Sequence, residues 1–144
     1  MISMHADGRS CLANFSFGSN RRAGKPFDAI KEFGLAIRLD PRWPVVRMNL
    51  GAALGAVNRW SDAAQQFENA VKLQPDSAEA HAMLGTARVN AGQLEAAVPC
   101  FEQALRLKPQ AAEWHDQFGQ VLRALGRNRE ALAEFEKAAG QRGR

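Results

Sequence analysis

Residues 44–77 read PVVRMNLGAALGAVNRWSDAAQQFENAVKLQPDS, and residues 78–111 read AEAHAMLGTARVNAGQLEAAVPCFEQALRLKPQA. Laid one over the other, they place Leu50-Gly51 over Leu84-Gly85, Ala63 over Ala97, Phe67 over Phe101, Ala70 over Ala104 and Pro75 over Pro109. The step is 34 residues, and it continues in both directions through Gly119, Ala29 and Ala131, Phe33 and Phe135, Ala36 and Ala138, and Pro41. A fixed period shared by several residue types marks stacked copies of one supersecondary unit, each burying its apolar face against the next.

Inside each copy the apolar spacing is helical. Leu50, Leu54 and Val57 recur at steps of three or four, and so do Ala63, Phe67, Ala70 and Leu73. Each copy is therefore a helix pair. Asn58, Gly92 and Gly126 stand between the halves, where a helix ends in the left-handed conformation that Gly and Asn tolerate. Pro41, Pro75 and Pro109 close the copies, because proline cannot extend a helix. The glycine of the first helix, with Ala63, Ala97 and Ala131 opposite, is read as permitting close approach of two backbones, the recurring Phe filling wider space further along. The pattern predicts helices over 27–39, 44–57, 61–73, 78–91, 95–107, 112–125 and 129–140. Two departures fall in the third copy: Arg88 takes the place of Leu54 and Leu122, and Pro99 lies one turn inside a helix.

The sequence resembles the tetratricopeptide repeat family, on Leu50-Gly51, Ala63, Phe67, Ala70 and Pro75, on Leu84-Gly85, Ala97, Phe101, Ala104 and Pro109, and on Phe118-Gly119, Ala131, Phe135 and Ala138. The resemblance covers 27–140 and implies an all-α, right-handed α-solenoid of antiparallel helix pairs, about three and a half 34-residue repeats. The expected organisation is an irregular or frayed segment 1–23, a repeat domain 24–140 (partial unit 24–43, then 44–77, 78–111 and 112–140) and a tail 141–144.

Composition excludes several classes. Hydrophobic residues make up 46% and charged residues 24%, as in an ordinary folded domain. No apolar run is long enough for a membrane span, and residues 1–20 lack a signal peptide's apolar stretch, so a cytoplasmic protein is expected. Cys11 and Cys100 form neither a disulfide framework nor a zinc motif. The formal charge of +4 divides as +3 over 1–42, 0 over 43–109 and +1 over 110–144. With a pI near 9.6, nucleic-acid binding is the runner-up of another class, but basic and aromatic residues do not interleave along one face.

Nothing in the chain marks catalysis. The motifs HExxH, GxxxxGK[ST], GxGxxG and GxSxG are missing from the sequence. His81 and His115 stand 34 apart on successive first helices and are read as packing residues, since two histidines without further donors are too few for zinc. Cys100, with no histidine close in sequence, is read as a small filler. Neither a metal nor a cofactor is expected.

In the family, the free stripe of each first helix faces a concave ligand groove. Here the resemblance implies a peptide-binding groove at Met48, Asn49, Ala52, Thr86, Asn90, Gln120 and Arg123, graded from apolar to polar. Members that clamp a C-terminal carboxylate carry basic or amide groups where Met48, Ala82 and Glu113 stand here, so no such clamp is expected. The partner is another protein or peptide. A second surface is expected at Trp43 and at the flank carrying Leu125, Leu132 and Phe135, which no later helix of this sequence covers; it points to a homo-oligomer or an accessory subunit. A third reading lays Leu12, Phe15 and Phe17, with Arg21 and Arg22, into the groove as a tethered blocker.

Overall fold

The computed structural model describes residues 25–143. Segment 1–23, and with it the tethered-blocker reading, lies outside the described residues. Among those described there are seven helices: α1 Lys25–Leu39, α2 Pro44–Ala56, α3 Trp60–Leu73, α4 Ala78–Asn90, α5 Leu94–Leu107, α6 Ala112–Ala124 and α7 Asn128–Arg142. Every expected helix is present, with ends within two residues of those read from the period. The chain forms two compact units: one runs to Pro75 and holds α1–α3, the other begins at Asp76 and holds α4–α7.

The turns inside the helix pairs repeat atom for atom. Asn58, Gly92 and Gly126 have φ of 63°, 84° and 83°. One residue later the chain closes a six-to-one bond onto the preceding helix, from Arg59 N to the Leu54 carbonyl (2.8 Å), Gln93 N to Arg88 (2.7 Å) and Arg127 N to Leu122 (2.8 Å). This is the Schellman closure, which satisfies a helix-end carbonyl and reverses the chain in three residues. Helix starts are less uniform. Ser77 Oγ accepts the Ala80 N–H at 3.2 Å, whereas α2 begins with Pro44, whose missing N–H would have been an orphan donor there.

The role of the first-helix glycine differs from the expected one. A Cβ on Gly51 would sit 2.6 Å from the Phe67 ring, one on Gly85 2.9 Å from Phe101, and one on Gly119 2.6 Å from Phe135. The glycine thus makes a flat seat for the recurring phenylalanine, and the ring, not bare backbone contact, sets the spacing of the pair. Ala63 and Ala97 are fully buried beside this contact. In the second unit the core gathers Phe101, Leu105, Phe118, Val121 and Leu122, with Phe101 and Phe118 stacked at 6.1 Å between ring centroids.

A polar tie crosses each unit in the same register. In the first, Arg47 on α2 donates to the Pro41 carbonyl (Nη2, 3.3 Å) and to Gln66 Oε1 on α3 (Nη1, 3.0 Å). In the second, His115 on α6 stands at the equivalent place. Its Nε2 lies 2.8 Å from the Pro109 carbonyl and its Nδ1 2.7 Å from Glu134 Oε1 on α7. One side chain pins both the inter-repeat proline loop and the partner helix.

Arg88 resolves its unusual place by bonding. Its Nη1 donates to the Ala96 carbonyl at 3.1 Å and to Cys100 Sγ at 3.2 Å, the buried thiol filling the remaining volume. Pro99 lies on the exposed side of α5, which runs through it from Leu94 to Leu107.

Candidate functional site

In the second unit, α4, α5 and α6 enclose a cleft of about 380 Å³. Thr86 and Val89 come from α4, Leu94 and Phe101 from α5, and Gln117, Gln120, Val121, Arg123 and Ala124 from α6. Gln117, Gln120, Val121 and Ala124 follow the i, i+3, i+4, i+7 spacing of one helix face, which forms a wall of the cleft with Arg123 at its edge. Its floor is apolar, formed by Val89, Leu94, Phe101 and Val121. Its rim is polar: Thr86 Oγ1 donates to the Ala82 carbonyl at 3.0 Å and lies 3.5 Å from Gln117 Oε1, which ties α4 to α6.

Three of the expected groove residues, Thr86, Gln120 and Arg123, meet in this cleft. Asn90 stands one turn beyond Thr86, exposed, with its Nδ2 bonded to the Thr86 carbonyl at 3.0 Å; it is not among the lining residues. Met48 and Ala52 lie half-buried on α2 of the first unit. Asn49, expected to present its amide to a ligand, is only 1% exposed, and its Oδ1 has no hydrogen-bond partner among the described residues. Its amide belongs to the interior instead.

Leu94 and Phe101 did not figure in the expected groove. A stripe read along first helices cannot reveal that second-helix residues form the floor beneath it. Leu94 also fell just outside its expected helix, and Phe101 read simply as packing.

The guanidinium of Arg123 sits 6.0 Å from the centre of the Phe135 ring, a cation–π distance. It makes no ion pair or side-chain hydrogen bond among the described residues. Arg127, by contrast, donates two bonds to Glu130, at 2.8 and 2.7 Å. That hydrogen bonding holds the Glu130 carboxyl below its ordinary range and raises Arg127 above its own. A lowered carboxyl supports the fold above its unfolded titration range and loses that support as pH falls through the folded one. Both side chains are exposed to solvent, so the effect on stability is small.

On another face of the same unit a larger cleft, about 820 Å³, runs between α5 and α7 over α6. Leu105, Phe118, Leu122 and Ala133 line it together with the His115–Glu134 pair, and Glu102, Arg106, Glu130 and Lys137 ring it with mixed charge. No group of three or more metal-ligating side chains is found among the described residues. No described helix is long and apolar enough to cross a membrane.

Of the residues expected to form a second surface, Trp43 is the half-buried N-cap of α2 and Leu125 the half-buried C-cap of α6. Phe135 is half-buried over Gly119, and Leu132 on α7 is 60% exposed.

A tetratricopeptide repeat profile matches residues 48–112 and again 82–144. Among solved structures the chain superimposes on a crystal structure of MamA with a TM-score of 0.82, at 22% identity, covering 98% of this chain and 83% of that one. MamA 41-end from Desulfovibrio magneticus RS-1 gives a TM-score of 0.79 at 22% identity, over 94% of this chain and 73% of the other. YrrB, described as a TPR protein with an unusual peptide-binding site, gives 0.76 at 23% identity, over 97% and 72%. These identities speak to fold alone. No curated protein sequence matches significantly. With the profile spanning well over half of the chain, and with helix pairs, turns and glycine–phenylalanine seats all recurring at its 34-residue period, this protein belongs to the tetratricopeptide repeat family.

Proposed function

We propose that the chain is a non-catalytic protein-interaction module whose α4–α5–α6 cleft holds an extended or amphipathic peptide. The observation that carries this reading is an apolar floor bordered by hydrogen-bonding side chains that suit a main chain. Gln117 and Gln120 each offer an amide donor and acceptor, and Val89, Leu94 and Val121 offer burial for one apolar side chain. The test selects peptides from a random displayed library on the folded protein and measures their affinity by fluorescence polarisation. Gln120→Trp, placed at an exposed rim position, fills the cleft without replacing any core side chain and is expected to weaken binding at least about tenfold, or 1.4 kcal/mol. Equal affinity in the variant and the unaltered protein refutes the site.

A second reading, self-association through α7, rests on a register comparison. Val98 on α5 is 8% exposed in the unit where α6 packs beside it, while its equivalent one period on, Leu132, is 60% exposed. A solenoid face left bare in this way favours a further helix, here from a second copy. Light scattering is expected to give a mass that rises with concentration, and Leu132→Glu to suppress the rise. A strict monomer at high concentration excludes this reading.

A further inference from the structure

The nine residues lining the α4–α5–α6 cleft include one charged side chain, Arg123, and no carboxylate. Most cations of the same unit are engaged: Arg88 on the Ala96 carbonyl, Arg106 on Gln103, Arg127 on Glu130, Lys137 on Glu134 and Arg142 on Asp116. Arg129 also makes no ion pair or side-chain hydrogen bond among the described residues, but it does not line the cleft. Arg123 is exposed, and the Phe135 ring beside it gives its guanidinium a fixed neighbour without using its N–H donors. Five donors in a planar fork, at the lip of an apolar cleft and with no acid nearby in the lining, match a carboxylate brought by a ligand.

Resting on the peptide-cleft reading above, we infer that the cleft selects segments in which a bulky aliphatic or aromatic side chain lies close in sequence to an aspartate or glutamate. The apolar side chain enters between Val89, Leu94 and Val121, and the carboxylate meets Arg123. An extended chain advances roughly 3.3 Å per residue, so an arginine side chain at the lip reaches acids within about three residues of the anchor. A nucleic-acid phosphate is the weaker match. A single guanidinium makes one phosphate contact, while phosphate-driven binding draws on several.

The test uses synthetic octapeptides carrying one leucine on a glycine–serine scaffold, with aspartate, asparagine or lysine placed one to three residues away on either side. Affinities are read by fluorescence polarisation at low salt for the unaltered protein, Arg123→Gln and Arg123→Glu, with circular dichroism to verify folding. The aspartate peptides are expected to bind the unaltered protein about fivefold more tightly than the asparagine peptides, the scale of an exposed ion pair. Arg123→Gln should erase that difference, and Arg123→Glu should reverse it in favour of lysine. Equal affinity for aspartate and asparagine peptides, with binding still lost when leucine becomes alanine, overturns the acid preference and leaves the peptide cleft standing. No binding by any peptide overturns both. Arg123-dependent binding of a single-stranded oligonucleotide, with no acid preference among peptides, also overturns the inference.

Discussion

Phe101→Ala is expected to lower the unfolding free energy by about 3–5 kcal/mol, the range for removing a buried aromatic side chain and leaving a cavity. Phe101 is 1% exposed, seats on Gly85 of α4, stacks on Phe118 of α6 and forms part of the cleft floor, so its removal strips contacts with both neighbouring helices at once. Whole domains are stable by only roughly 0.05–0.15 kcal/mol per residue, which makes this loss comparable with all that holds a unit of this size. Urea denaturation followed through the amide resonances of α4–α7 is the measurement. Phe135→Ala, the same contact at a half-buried site, serves as the comparison and should cost clearly less. A loss under about 1 kcal/mol at Phe101 contradicts the seat-and-ring account of the helix pair.

The His115 tie gives the second large effect. Replacing His115 by leucine leaves the Pro109 carbonyl without its donor and strips Glu134, itself only 12% exposed, of its closest partner. Lys137 remains on the other carboxylate oxygen at 3.2 Å, a partial compensation. The expected cost is about 3 kcal/mol, near the lower end for breaking a buried pair from one side. The Pro109 carbonyl can only accept, so the hydrogen of that bond sits on Nε2, while Nδ1 faces Glu134 Oε1. A double variant, His115→Leu with Glu134→Leu, removes the stranded carboxylate as well and should be more stable than the sum of the two single losses by at least about 1 kcal/mol. Strict additivity in denaturant unfolding shows that the pair is not coupled.

The helices were legible because period and turn chemistry agree at each repeat: Gly92 and Gly126 stand where φ is positive, and Asn58 substitutes for them. The purpose of the paired glycine was not, since a small residue reads the same whether it admits a backbone or the face of a ring. Thr86, Gln120 and Arg123 were legible as first-helix positions outside the packing stripe. Leu94 and Phe101 were not, because part of the cleft floor comes from the second helix of the pair, whose apolar residues read as packing alone. The burial of Asn49 was hidden for a related reason, as it depends on what surrounds the residue, which spacing along one helix does not record. The polar tie spans 19 residues and changes chemistry between repeats, from Arg47 with Gln66 to His115 with Glu134, so no shared residue type announced it.

The most direct test of the peptide cleft is a titration of isotope-labelled protein with the tightest peptide selected from the displayed library, read through backbone and side-chain amide shifts. The account predicts that the largest changes fall on Thr86, Val89, Leu94, Gln117, Gln120 and Val121. Changes concentrated instead on Leu105, Ala133 and Lys137 of the larger cleft, or around Leu132, contradict it.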